Sequence, residues 1–200
     1  MVISIIDKLI LIAGKSNSGK GTVATLLNKE LSQNENNNVI QCSLSTYIRQ
    51  ITKNDFYWNG INTPKSRMFM GEVYRLATEL IYPYHMARRV LEHDILPNLN
   101  EDKFNIVLVE SFREKVNYDY FKMVEDKYNI IDITTLNIIR PKYDVVGKKL
   151  KNHQSEADLD NFEFDYTILN NKNIDVLKSK VKMFVHDEFF KLYTWDEVFN

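Results

Sequence analysis

Lys8-Leu9-Ile10-Leu11-Ile12-Ala13-Gly14-Lys15-Ser16-Asn17-Ser18-Gly19-Lys20-Gly21-Thr22 decides the fold. Lys8–Ala13 is a short, nearly continuous apolar run, the pattern of a strand covered on both faces. Gly14 to Lys20 follows as G-x-x-x-x-G-K. Lys20–Ser32 then carries Val23, Leu26, Leu27 and Leu31 at helical spacing. Strand, glycine loop and helix in that order are the setting a phosphate-binding loop requires. Its glycines let successive backbone N–H groups curl inward toward phosphate oxygens. The helix N-terminus adds unsatisfied donors and the positive end of its dipole. Lys20 supplies a point charge for the β- and γ-phosphates. The nucleotide-binding residues read here are Gly14, Lys15, Ser16, Asn17, Ser18, Gly19, Lys20, Gly21 and Thr22. Lys15 is either a second phosphate contact or a solvated loop residue.

One position departs from the strict motif. The residue after the lysine is Gly21, so the hydroxyl that would meet Mg²⁺ comes one later, at Thr22. Gly-Lys-Gly-Thr resembles the loops of nucleoside monophosphate kinases such as adenylate kinase, which hold their metal largely through phosphates and water.

Outward from the loop, strand-like and helix-like stretches alternate. Strands are expected at Val39–Ser43, Phe104–Val109, Ile131–Ile139 and Tyr166–Leu169. Helices are expected at Leu44–Thr52, Lys65–Ile81, Tyr84–Leu96, Val116–Tyr128 and through Ile174, Leu177, Val181, Phe184, Val185 and Phe189. Asn34–Asn38 reads as a turn and Asp55–Pro64 as a polar, aromatic loop. The alternation indicates an α/β fold with a mainly parallel sheet.

Composition narrows the partners. The chain has 200 residues, a formal net charge of −1 and one cysteine, Cys42. It has neither the basic excess of a bulk nucleic-acid binder nor the thiols for a disulfide or a cysteine metal cluster. The apolar start, Met1–Ala13, is interrupted by Asp7 and Lys8 and lacks the marks of a signal peptide. No apolar run approaches a membrane span. The expectation is a cytoplasmic chain (host cytoplasm if viral) that binds small nucleotides, with no nucleic-acid or membrane partner, and is compatible with a homodimer.

Phosphoryl transfer also needs an acceptor site and positive charge around the moving group. Arg49, Arg67, Arg75, Arg88 and Arg89 fall between the second and third strands. At least one should hold an acceptor phosphate, with Arg49 and Arg67 favoured over Arg75 and Arg88. Glu110 ends the third strand. It is either a metal ligand or base, alongside Thr22, or the partner of Arg113. Arg140, with Lys142, Lys148, Lys149 and Lys151 beyond it, suggests a basic lid that closes over the triphosphate. Phe56-Tyr57-Trp58 and Tyr74 are either a base-stacking wall or core. The four histidines have no metal-ligand spacing.

Gly14–Thr22, Val109-Glu110-Ser111-Phe112-Arg113, Arg140-Pro141 and His153-Gln154-Ser155-Glu156 occur in that order. Leu159-Asp160, Phe164-Asp165-Tyr166 and Asn170-Asn171 follow. Together they resemble the phage-type deoxynucleoside monophosphate kinases, and the 153–171 run is also similar to animal-type phosphomevalonate kinases. The resemblance implies a three-layer α/β/α P-loop kinase fold with strand order 2-3-1-4-5. It implies one kinase domain: core 1–43, 104–140 and 165–190, acceptor-binding insert about 44–100, lid about 141–155. It also implies ATP and Mg²⁺, catalytic roles for Lys20, Arg113 and Arg140, and an adenine bordered by Asn170 and Asn171. The family's aspartate at the end of strand three is Ser111 here, and its later acidic position is Asn117. Another kinase acceptor, or a nucleotide-binding switch, stays open. The guanine-reading pattern has only a displaced match at Asn171-Lys172-Asn173-Ile174-Asp175.

Overall fold

The structure is a computed structural model and describes residues 5–61, 63–141 and 159–190. Five parallel strands are β1 (Lys8–Ala13), β2 (Asn37–Ser43), β3 (Phe104–Phe112), β4 (Ile133–Ile139) and β5 (Tyr166–Leu169). They lie in the order β2-β3-β1-β4-β5, as the resemblance implied. The helices are α1 (Lys20–Leu31), α2 (Thr46–Asn54), α3 (Pro64–Leu80), α4 (His85–Val90), α5 (Lys115–Met123) and α6 (Ile174–Phe190).

Helices cover both faces, so alternate strand residues feed two cores. Ile10, Ile12, Ile106 and Leu108 point to α1 and α6, where Val23, Leu27, Val181 and Phe184 meet them. Leu9, Leu11, Val107 and Val109 point the other way, to Ile48, Met86, Leu91, Tyr120 and Phe121. This two-sided burial is why β1 and β3 read as unbroken apolar runs.

Four boundaries differ from the sequence reading, each for a local reason. Asn37 and Asn38 extend β2 instead of turning, because their amides find partners: Asn37 caps Leu31 O, and Asn38 donates to Asn98 O and Asn105 Oδ1. The helix expected over Tyr84–Leu96 stops being α-helical at Val90. It widens into a π-turn at Leu91–Ile95 and tightens to a 3₁₀ turn at Leu96–Asn98. Pro97 has no N–H to continue it. α5 ends at Met123, and Asn129 at φ 49° reverses the chain so that Ile130 pairs with Ile6. β3 runs three residues beyond Val109. Ile12 faces Glu110 but Ala13 faces Phe112, so Ser111 is an extra, bulged residue at φ 64°. The bulge turns Phe112 into the same core as Val109.

Below the sheet, Lys8 is buried and bonds both Asp132 and Glu188. Glu188 also accepts from Thr134 Oγ1 at 2.5 Å. This network fastens α6 to the strand ends remote from the loop. Burial would raise the Glu188 carboxyl, but hydrogen bonds from Lys8, Thr134 and Tyr166 together with the Lys8 charge hold it below the usual glutamate range.

Candidate active site

The loop after β1 closes by its own backbone. Gly14 (φ +136°), Asn17 (φ 62°) and Gly19 (φ +102°) take left-handed or related conformations, and Ser18 N donates to Lys15 O at 3.1 Å. Gly14 also lies where a Cβ would meet Ile138 O and, at 2.7 Å, Ser18 Oγ. The loop therefore touches β4 without room for a side chain. Gly19 caps α1 without a side-chain hydrogen bond, and no acidic residue occupies the first turn. The leading N–H groups thus make this end of α1 a region of positive potential. Lys20 Nζ donates to Gly14 O at 2.6 Å and Lys15 O at 2.9 Å, which holds the ammonium across the loop mouth.

Glu110 approaches the start of α1 from the neighbouring strand. Its Oε1 accepts from Gln41 Nε2 at 2.8 Å, and its Oε2 lies 3.2 Å from where a Cβ on residue 21 would stand. A side chain at position 21 would thus press on the Glu110 carboxylate. The same carboxylate supplies a hard oxygen beside the loop, a donor that suits Mg²⁺. Among the described residues no three His, Cys, Asp or Glu side chains converge as a metal site.

Toward β2, the bulge presents a triangle of hydroxyls. Ser43 Oγ lies 3.0 Å from Ser45 Oγ and 3.1 Å from Ser111 Oγ, and the last two are 3.2 Å apart. Neutral hydroxyls thus stand where the resemblance implies a carboxylate. On the other side of the loop lies a pocket of about 240 Å³. Gly14 and Lys15 form one wall and Arg113 another, with Asn137 on β4 and the rings of Phe112, Phe162 and Phe164. The three rings pack edge-on or tilted, with centroids 4.8–6.4 Å apart. Lys15 Nζ is 3.9 Å from Asp160 at this mouth.

The helical insert is built differently. Thr63 and Ser66 form a capping box and Pro64 starts α3, yet no residue of α3 is buried. Tyr74 reaches back to the body, donating to Glu114 Oε2 at 2.6 Å. Burial and that carboxylate raise the phenol well above its usual range. Phe56 and Tyr57 are exposed and so are not core.

The candidate arginines fall in different surroundings. Arg49 is exposed on α2, one turn after Ser45, and Arg67 is half-buried in the first turn of α3. Arg75 is paired with Glu72 and Glu79 on exposed surface, and Arg88 with Glu92. Arg89 stacks over the Tyr47 ring at 4.1 Å. Arg113 lines the pocket and Arg140 follows β4. Thr22 is exposed in the first turn of α1, and Asn171 is exposed after β5. Asn170 is buried against the loop, its Nδ2 donating to Ser18 O at 2.8 Å. The expected lid lies outside the described residues except for Pro141. Sequence reasoning did not single out Ser43, Ser45 or Asn137. It quoted Phe162 and Phe164 only inside a longer segment, although their Phe-x-Phe alternation was a visible signal.

No protein-family model matches the sequence, and no curated protein matches it. Solved structures do. The APS kinase CysC of Mycobacterium tuberculosis, in complex with AMPPNP and APS, superposes with a TM-score of 0.52 at 15% identity, over 91% of this chain and 99% of that one. A thymidylate kinase from Ehrlichia chaffeensis gives 0.49 at 17%, over 90% and 99%. The chain thus shares the fold of this APS kinase, a likeness of fold alone. No described helix is long and apolar enough to cross a membrane.

Proposed function

We propose that the chain transfers the terminal phosphoryl group of ATP to a small phosphorylated acceptor, and that a nucleoside or deoxynucleoside monophosphate fits best. The observation that carries this reading is the shared wall between the phosphate loop and the aromatic pocket. Gly14 and Lys15 belong to both, so a planar group among Phe112, Phe162 and Phe164 would lie beside the loop's anion site. The resemblance to phage-type deoxynucleoside monophosphate kinases supports the same acceptor class.

An acceptor phosphate oxygen forms the new bond to the γ-phosphorus as the bridging β,γ P–O bond breaks, and ADP leaves. No protein nucleophile is needed, and catalysis is positioning plus charge neutralisation. Lys20 follows the moving charge, while the amides of Ser18–Thr22 hold the β-phosphate. Arg113 and Arg140 add charge across the transition state, and Arg49 and Arg67 hold the acceptor phosphate. Glu110 would hold Mg²⁺ with the phosphates, and that ion supplies further charge neutralisation when bound.

One observation favours a second acceptor. Ser43, Ser45 and Ser111 place neutral hydroxyls at the end of β3, which suits a small phosphorylated metabolite other than a nucleotide, such as phosphomevalonate. A coupled ADP-release assay across ribo- and deoxynucleoside monophosphates, phosphomevalonate and APS decides between them. Turnover stimulated by monophosphates is expected. Stimulation by phosphomevalonate alone selects the second reading, stimulation by APS alone, itself an adenosine nucleotide but not a monophosphate, overturns both acceptors, and none at all leaves a nucleotide-binding switch.

A further inference from the structure

Asn170 stands where the resemblance implies a border for the adenine, but its side chain is already engaged. Its amide is buried at 8% exposure and donates to Ser18 O, 152 residues away in the chain. Its backbone N–H donates to Ile139 O at 2.7 Å, which ties it to the end of β4. The preceding Leu169 pairs with Ile139, and Leu169 O accepts from Lys180 Nζ at 2.5 Å. The group that reaches the loop is thus fixed from two strands and a helix. Gly19 fits against it only as glycine, because a Cβ there would collide with Asn170 Nδ2.

We infer that Asn170 is a positioning residue that aims the phosphate loop, and that the Ser18–Gly19 peptide is the unit it holds. In a trans peptide the C=O and the following N–H point in opposite directions. No peptide bond in the described chain is cis. Pinning Ser18 O outward on Asn170 therefore turns the Gly19 N–H the other way, into the concave side of the loop where a phosphate oxygen would accept it. Without that donor the buried carbonyl would lack its partner, and the peptide would be free to rotate toward water. The exposed Asn171, one residue on, is left to meet a base. Asn170 thereby makes the strand-end loop after β5 part of the phosphate site.

This inference rests on the phosphate loop's holding a nucleotide, and the test separates the two. Titration calorimetry of the full chain with inorganic tripolyphosphate, and separately with adenosine, compares wild type with Asn170→Ala and the near-isosteric, uncharged Asn170→Leu. Both variants should bind tripolyphosphate about tenfold more weakly, the effect of one buried hydrogen bond left unmade. Both should bind adenosine within about twofold of wild type. Thermal melts identify a variant that has lost its fold, and the similarly sized Leu carries the test if Ala does so. Tripolyphosphate binding that is unchanged in a folded variant overturns the brace, as does a loss confined to adenosine. A wild-type chain that binds neither tripolyphosphate nor ATP overturns the nucleotide reading itself.

Discussion

The phosphate loop and the helical insert are held by opposite means. In the loop, the two positive-φ glycines each meet a close neighbour, Gly14 at Ile138 O and Gly19 at Asn170. In the insert, α3 fully buries no residue, exposes Met68, Leu76 and Leu80, and rests on the body through the half-buried Met70, Val73, Tyr74 and Ala77. The loop is tightly constrained, and the insert rests on a few half-buried side chains. Such a division suits a site that must present phosphate donors preorganised, while the acceptor site closes on its ligand.

The largest test removes the loop's charge. Lys20→Ala should lower turnover by about 10²–10³-fold while the melting temperature changes little. Retained turnover would detach the chemistry from the loop. Next, Gly19→Ala places a side chain at φ +102° and against Asn170, so it should destabilise the chain by about 1–3 kcal/mol and weaken ATP binding. A neutral result in denaturant melts would show the loop to be less constrained than the insert.

Tyr74→Phe probes the insert with its ring retained. Loss of the bond to Glu114 should cost about 1 kcal/mol, raise the acceptor KM a few-fold and leave the ATP KM unchanged. An equal rise in both constants would mean that the two regions are not separately held. At the far end of the sheet, Glu188 gives a pH test. Its folded carboxyl titrates below the ordinary range, so its contribution is fully present above the unfolded value and is lost as pH falls through the folded one. Wild type should therefore lose stability on acidification below about pH 4 more steeply than Glu188→Gln. Parallel curves would remove Glu188 from the acid response. The smallest change is Arg75→Ala. Its guanidinium lies on exposed surface between two glutamates, so stability should move by less than about 0.5 kcal/mol. We expect a smaller effect on acceptor KM than for Arg49→Ala or Arg67→Ala.

The legibility of these regions follows the same division. Lys8–Ala13, Tyr166–Leu169 and the start of α1 agree with the pattern reading because buried parallel strands and a glycine loop carry their signals within a dozen residues. The helix through His85 was legible as a helix, but not in its π-turn, where Leu91 and Ile95 both stay fully buried. Asn38 reads as a turn residue because its partners, Asn98 and Asn105, lie 60 and 67 residues away. The arginines were legible as charges, and the carboxylates that occupy Arg75 and Arg88 stand three or four residues away along the same helical stretch, a spacing the sequence already shows.

From the sequence alone came the alternating α/β order, the anion-binding loop between the first strand and helix, and Lys20 at its mouth. Each rests on backbone and side-chain chemistry between near neighbours, which the order of residues already fixes. Tertiary structure decided the bulge that brings Ser111 to Ser43 and Ser45, the carboxylate of Glu110 against Gly21, and the closure of Phe112, Phe162 and Phe164 beside Gly14. It also decided that Asn170 faces the loop. These contacts join segments up to 152 residues apart, and strand register and packing, rather than local propensity, choose which side chains meet.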